Sequence, residues 1–295
     1  MEIDYQKIFL GRTNDCQKLT LAIGNFSGLH LGHQSLINQV VFTSAQTNTI
    51  PAILTFNHHK KSQLLSNDTF INKINSLGIK VLIVIDFSEQ FQQITAQDFI
   101  SFLRYELNVD NVIIGEDFHF GHNRSGNVLD LKKSPLKTYA MPLMKINNQK
   151  ISSSAIINCI QNGDIITANT MLGYNYAIEG KVKKGLQNGR KLGFPTINID
   201  LNKYIKPKNG VYVSKVNYCN NSYWSMTYIG MHKSIDGLTH PILESNIFDF
   251  NENIYGHFVS VELIEKIADD FKFSSLEDLK TALNTYKKNI QSKYR

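Results

Sequence analysis

Two imidazoles bracket Leu31-Gly32 in the run Gly24-Asn25-Phe26-Ser27-Gly28-Leu29-His30-Leu31-Gly32-His33. An apolar stretch, Leu19–Ile23, precedes this run, and a helix-forming stretch continues from His33 to about Ser44. A loop between a buried strand and a helix leaves backbone amides free at the helix N-terminus, and glycine lets that backbone approach a ligand closely. Phosphate is what such a loop attracts, and two histidine N–H groups at its end can stabilise charge building on phosphate oxygens.

Four further clusters carry the chemistry of phosphate and ring binding. Ile151-Ser152-Ser153-Ser154 sets hydroxyls at a helix start; serine there also serves plain helix capping. Gly115-Glu116-Asp117-Phe118-His119-Phe120-Gly121-His122-Asn123-Arg124-Ser125-Gly126 mixes aromatic, acidic and basic residues directly after an apolar run, Val112–Ile114. It suits a ligand with a ring and a phosphate, or an ordinary polar loop. Gly185, Gly189-Arg190-Lys191-Leu192-Gly193 and Phe194-Pro195-Thr196-Ile197-Asn198 join glycines and bases with two oxygen donors at i and i+2. In an extended segment Thr196 and Asn198 face the same way and offer oxygens to a hard cation such as magnesium. Glu244, in Ile242-Leu243-Glu244-Ser245-Asn246, is a carboxylate placed either to face solvent or to act as base for a hydroxyl.

The elements that must position these groups fall into two patterns. In the first half, apolar runs at 19–23, 52–56, 81–85 and 112–114 alternate with helical stretches at 33–44, 69–77 and 95–107, the second ending at Gly78 and the third capped by Thr95. That order predicts a doubly wound parallel sheet with ligands beyond the carboxyl ends of its strands. One helical stretch from Ser152 to Leu172 follows. From about Ile178 short alternating segments at 212–216, 224–229, 242–248 and 258–264 predict an antiparallel barrel or sandwich. Ser274-Ser275-Leu276-Glu277 opens a last helix, to about Asn289. The change of pattern places a domain boundary near Gly173 to Ala177.

Composition narrows the classes. An apolar fraction of 42%, a charged fraction of 19% and a net charge of +6 describe a globular protein suited to small anions rather than nucleic acid. Cys16, Cys159 and Cys219 lie far apart, with neither metal-ligand nor disulfide-framework spacing. The first residues, with Glu2 and Asp4, resemble neither a signal peptide nor a membrane span, so the expected location is the cytoplasm.

Together the motifs resemble the bacterial bifunctional riboflavin kinase/FAD synthetase family from about Leu19 to Leu283. G-N-F-D-G-x-H-x-G-H stands here as Gly24 to His33, T-F-x-P-H as Thr55-Phe56-Asn57-His58-His59, G-x-D-F-x-F-G as Gly115 to Gly121 and I-S-S-T-x-I-R as Ile151 to Ile157. G-R-x-L-G-F-P-T-A-N stands as Gly189 to Asn198, N-G-V-Y as Asn209 to Tyr212, and the family's catalytic Glu matches Glu244 ahead of Ile247-Phe248-Asp249-Phe250. Departures are Ser27 for Asp, His58 for Pro, Ser154 for Thr, Ala155 and Ile157 for Arg, and Tyr228-Ile229-Gly230-Met231-His232-Lys233-Ser234 in place of N-I-G-x-R/N-P-T.

The resemblance implies an α/β Rossmann-like nucleotidyltransferase domain with a parallel sheet over residues 1–175, acting as FMN adenylyltransferase. It implies an antiparallel β-barrel flavokinase domain with a terminal helix over 176–295. Riboflavin, FMN, FAD and ATP are the implied ligands, with Mg2+ accompanying ATP, and neither nucleic acid nor membrane is an expected partner. Glu244, His30 and His33 are the implied catalytic residues. ATP would meet Gly24, Asn25, Phe26, Gly32, Ser153 and Ser154 in one half, and Gly185, Gly189, Arg190, Gly193, Thr196 and Asn198 in the other, with Thr196 and Asn198 on the metal. Flavin would meet Asn57, His59, Asp117, Phe120 and Arg124. Two other readings use the same motifs: a riboflavin kinase carrying an inactive adenylyltransferase scaffold, favoured by Ser27 and Ile157, and a flavin-binding regulator without turnover, opposed by the retained Glu244, Thr196 and Asn198.

Overall fold

Leu19–Ile23 is buried at every position, as a strand in a sheet covered on both faces must be. It lies inside the first of two compact units of the computed structural model, which describes residues 3–11, 17–57, 62–185, 189, 193–233, 239–270 and 273–294, with backbone alone at 232, 233, 239 and 240. The first unit comprises residues 1–61 and 67–152, the second 62–66 and 153–295.

In the first unit the strands are β1 (Tyr5–Phe9), β2 (Leu19–Ile23), β3 (Ile50–Asn57), β4 (Val81–Asp86), β5 (Val109–Gly115), the short pair β6 (His119–Phe120) and β7 (Gly126–Asn127), β8 (Lys137–Met141), and the hairpin β9 (Lys145–Ile146) and β10 (Gln149–Lys150). The helices are α1 (Leu31–Thr47), α2 (Asn67–Ser76), α3 (Glu89–Gln92), α4 (Ala96–Ser101) and α5 (Val128–Lys133). The main sheet runs β1-β4-β3-β2-β5-β8. All its pairs are parallel except the edge pair of β1 with β4. Chain direction through the sheet reverses between β2 and β5, so the loops after these two strands flank the crevice where doubly wound sheets bind ligands. Gly78 ends α2 with φ of 98°, a conformation that suits glycine. The stretch predicted as one helix from 95 to 107 keeps its Thr95 cap, but its last turn is a π turn closed by Leu107 N–H on Phe102 O at 3.1 Å. Spacing alone fixed the buried face of Phe99, Leu103 and Leu107, not the width of the turn.

The second unit adds α6 (Ser153–Asn162), α7 (Ile165–Leu172), β11 (Ala177–Lys181), β12 (Ile197–Asp200), β13 (Gly210–Tyr218), β14 (Asn221–Lys233), β15 (Thr239–Ile247), β16 (Phe258–Asp269) and α8 (Leu276–Tyr294). The single helix expected over 152–172 is two, because Gly163 takes φ of 84° and Asp164 starts a new helix by accepting Thr167 N–H. The antiparallel sheet runs β11-β16-β13-β14-β15-β12. Lys183, just past β11, donates its N–H to Asn198 O on β12 at 2.8 Å, which draws the two edges together into a nearly closed barrel. Inside, Ser214, Ser225, Thr227 and Ser245 are fully buried and bond one another at 2.6 to 2.9 Å, so the small polar groups filling the barrel are satisfied. Outside, Ile290 of α8 packs with Phe194, Val213, Met226 and Phe248.

Candidate active sites

The loop after β2 is fixed at both ends. Gly24 N–H bonds Leu54 O at 3.1 Å, Leu29 N–H bonds Phe26 O at 3.1 Å, and Phe26 is fully buried. His30 is the N-cap of α1: its Nδ1 accepts His33 N–H at 3.3 Å. A neutral imidazole accepting at Nδ1 carries its proton on Nε2, which leaves that N–H for a ligand. The rings of His30 and His33 stack at 3.6 Å and 15°, with Phe26 at 4.9 Å from His33. A Cβ on Gly32 would stand 3.3 Å from the His30 ring, so glycine keeps the helix start open beside it. Burial, assisted by the charge of Lys150, lowers the pKa of His30 to about 4 although a backbone hydrogen bond opposes the shift. Burial and His30 itself hold His33 well below its ordinary value. Both rings are therefore neutral at pH 7, and the buried Nδ1 of His33 has no hydrogen-bond partner. Asn25 and Gly32 are half-buried in the same loop. Ser153 and Ser154 open α6 and are counted by packing in the second unit.

The loop after β5 builds a second wall of the first unit. Gly121 has φ of 74°, and a Cβ there would meet the Ala96 backbone nitrogen at 2.8 Å. Next to it His122 donates its N–H to Ile94 O at 2.7 Å, while Asn123 and Arg124 take φ of 52° and 59°. The result is a cavity of about 340 Å³ lined by Phe56, Phe87, Phe91, Phe99, Phe118, Phe120, His119, His122 and Arg124 with neighbouring backbone. Large flat rings on several sides and a cation at one rim suit a planar aromatic ligand. Phe120 and Arg124 of the expected flavin residues are there. Asn57 is exposed at the end of β3, accepting Phe87 N–H through its carbonyl at 3.2 Å, and Asp117 pairs with Lys150. His59 lies outside the described residues. Phe87 and Phe91 were missed; their i, i+4 spacing in a short segment was the available signal.

In the second unit, strand register brings Asn198 on β12 opposite Glu244 on β15, and Glu244 opposite Tyr228 on β14. Paired positions share a face, so the carboxylate stands between an amide and a phenol. Glu244 is half-buried. Burial, then a hydrogen bond to Asp270 at 3.0 Å, then the charges of Asp270 and Glu244 push Tyr228 up to about 12. Asn198 is 6% exposed and its Oδ1 is buried without a partner. Two glycines stand close to this strand: a Cβ at Gly185 would stand 2.5 Å from Asn198 Nδ2, and one at Gly189 would stand 3.4 Å from Thr196 Oγ1. Asn246 Nδ2 donates to Pro195 O at 2.7 Å and anchors the turn before Thr196. Gly193 has φ of 85° with open space where a Cβ would be. Thr196, Asn198 and Gly185 line a cavity of about 70 Å³ together with Phe250, Glu252 and Tyr255. Arg190 lies outside the described residues. Two neutral oxygens fit a hard cation whose remaining ligands come from nucleotide phosphates.

Comparison with known proteins places the chain in a family. The riboflavin kinase family model matches residues 172–294 and the FAD synthetase model residues 12–155. A bifunctional riboflavin kinase/FMN adenylyltransferase of Buchnera aphidicola from Schizaphis graminum is 34% identical over 282 residues, covering 90% of each chain. The protein of that name from Bacillus subtilis is 34% identical over 89% of this chain and 88% of its own. That from Haemophilus influenzae is 33% identical over 90% and 91%. A crystal structure from Streptococcus pneumoniae, described as a macrolide-efflux protein, superposes with a TM-score of 0.85 at 29% identity, covering 93% of this chain and 94% of that one. Among the described residues no helix is long and apolar enough to cross a membrane.

Proposed function

The chain belongs to the bifunctional riboflavin kinase/FMN adenylyltransferase family, and we propose that it carries out both reactions, phosphorylating riboflavin to FMN and adenylylating FMN to FAD, each with ATP. One observation supports the two together. Of the four buried side-chain polar atoms without a partner among the described residues, one is His33 Nδ1 and one is Asn198 Oδ1. Unpartnered buried polar atoms are costly, and each of these sits where a ligand would satisfy it.

In the kinase, Glu244 takes the proton of the ribityl 5′-hydroxyl, whose oxygen bonds the γ-phosphorus of ATP while the bond to ADP breaks. Thr196 and Asn198 would hold the Mg2+ that comes with ATP, and that ion would neutralise phosphate charge; Gly185, Gly189 and Gly193 would lie over the phosphates. In the adenylyltransferase, an FMN phosphate oxygen bonds the α-phosphorus and pyrophosphate leaves, so no protein nucleophile is needed. Neutral His30 and His33 donate hydrogen bonds to oxygens on which charge builds. Phe120 and Arg124, with Phe56, Phe87, Phe91 and Phe118, receive the flavin ring. By catalytic content the chain divides at 175/176, adenylylation to residues 1–175 and phosphorylation to 176–295, and the cytoplasm is the proposed location.

Incubation with riboflavin and Mg-ATP, followed by chromatography of riboflavin, FMN and FAD, tests the reading. FMN should appear first and FAD after it. No FMN would remove the kinase assignment; FMN without FAD at high enzyme and FMN concentration would leave a kinase with a scaffold domain.

A further inference from the structure

We propose that Lys150 is the cation that receives nucleotide phosphates at the His30–His33 site, and that Asp117 holds it ready for them. This rests on the adenylyltransferase reading above. A polyphosphate entering a site needs formal positive charge beside its hydrogen-bond donors. The stacked rings cannot supply it: His30 is buried, His33 is half-buried beside it, the rings lie 3.6 Å apart, and both are held neutral. Among the described residues, Lys150 is the cation whose field reaches His30. It stands at the end of β10, and the next residue fixes this end of the chain, Ile151 N–H bonding Met144 O at 3.0 Å. Its Nζ bonds Asp117 Oδ2. Asp117 belongs to the loop after β5, which with the loop after β2 flanks the crevice of the parallel sheet. A Cβ on Gly115 would approach Asp117 Oδ1 to 3.2 Å, so glycine leaves the carboxylate room in that loop. Lys150 and Asp117 are about half exposed, at 46% and 50%. A pair that open to water is weak and gives way readily to a multiply charged phosphate. Ile157, the position at which the resembled motif carries an arginine, supplies no charge. Lys150 is therefore the charge-bearing partner of two neutral donors.

The test uses the full chain with Lys150→Met and Lys150→Arg, and riboflavin kinase activity serves as an internal check of folding. With Lys150→Met, kcat/KM for FAD formation should fall about 10- to 100-fold while FMN formation stays within about twofold of wild type; Lys150→Arg should recover most of the loss. Inorganic pyrophosphate, titrated against the NMR signals of the His30 and His33 imidazoles, should bind at least about tenfold more weakly to Lys150→Met. The His30 signal should also titrate at higher pH in that variant, because a repelling charge has gone. Unchanged pyrophosphate affinity at these signals would overturn the role of Lys150 whatever the FAD assay reads. Lys150-dependent pyrophosphate binding in a wild type that forms no FAD would support the cation site while overturning the activity assigned to it.

Discussion

His30 and His33 are neutral because the fold withholds water from them, and this couples the first unit's stability to pH. His30 titrates near 6.5 when unfolded and at about 4 when folded. Between those values the unfolded chain binds a proton that the folded chain refuses. Stability from this group is therefore complete above about pH 6.5, falls as the pH drops, and is fully lost below about pH 4. A shift of that size corresponds to roughly 3 kcal/mol, with His33 adding in the same direction. Denaturant midpoints should fall between pH 7 and pH 5, and His30→Asn/His33→Asn should flatten that slope; an equally steep slope in the double variant would contradict it. At the other site Glu244→Gln keeps shape and removes the proposed base. FMN formation should drop about 100-fold or more, and FAD formation from supplied FMN should not change. Wild-type FMN formation by this variant would remove Glu244 from the chemistry. Both histidines and Glu244 were legible in the sequence because each sits in a short ordered motif. The pairing of Asn198 with Glu244 and Tyr228 was not, since register between strands so far apart in the chain depends on how the barrel closes. Phe87 and Phe91 were hidden for a related reason: their cavity is assembled from three separate segments, β3, the stretch after β4 and the loop after β5.

At the level of elements, two glycines bear directly on the sites. Gly185 lets the backbone touch the Asn198 amide, where a Cβ would approach to 2.5 Å. Gly185→Ala should push Asn198 aside and cut FMN formation about 10- to 100-fold, since displacements near 1 Å are that costly at a phosphoryl-transfer site. Circular dichroism and FAD formation should be unchanged; unchanged FMN formation would mean that the loop does not set the position of Asn198. Gly121 combines φ of 74° with the Ala96 backbone at 2.8 Å. Gly121→Ala should cost about 1–3 kcal/mol, read as a lower denaturant midpoint, and should raise KM for FMN more than it lowers FMN formation at the other site. The central strands were readable because each is an unbroken apolar run. The edge strands were not: Tyr5–Phe9 and Lys137–Met141 have half-exposed or exposed residues at every position and neither a buried run nor clean alternation. The break between α6 and α7 was visible as Gly163-Asp164, but helical periodicity continues across it, so its phase gave no warning.

For the molecule as a whole, the division proposed from catalytic content and the division by packing fall at different points. The change from apolar runs to alternation marks the start of the barrel, and the sequence boundary near 173–177 follows from it. Packing counts α6 and α7 with the barrel. Asn169 links them to it twice, donating to Leu263 O at 2.9 Å and accepting Tyr176 N–H at 2.8 Å, and Lys208 N–H bonds Ile160 O at 3.2 Å. Ile156, Ile160, Ile165, Met171 and Leu172 on these helices, and Tyr176 after them, are buried. Each such side chain contributes about 1.5–3 kcal/mol when buried, against about 5–15 kcal/mol of stability in a typical domain. A fragment beginning at Ile178 lacks all six, and one beginning at Ser153 keeps them. The second fragment still loses residues 62–66, where Gln63 bonds Lys203 O and Ile205 N–H and Ser66 bonds Glu179 at 2.6 Å. Residues 153–295 should therefore be soluble, form FMN, and unfold at a lower denaturant midpoint than the barrel of the full chain, whereas residues 178–295 should aggregate or show no cooperative transition. Equal midpoints for the two fragments would mean that α6 and α7 only border the barrel, and that 175/176 is the folding boundary as well as the proposed catalytic one.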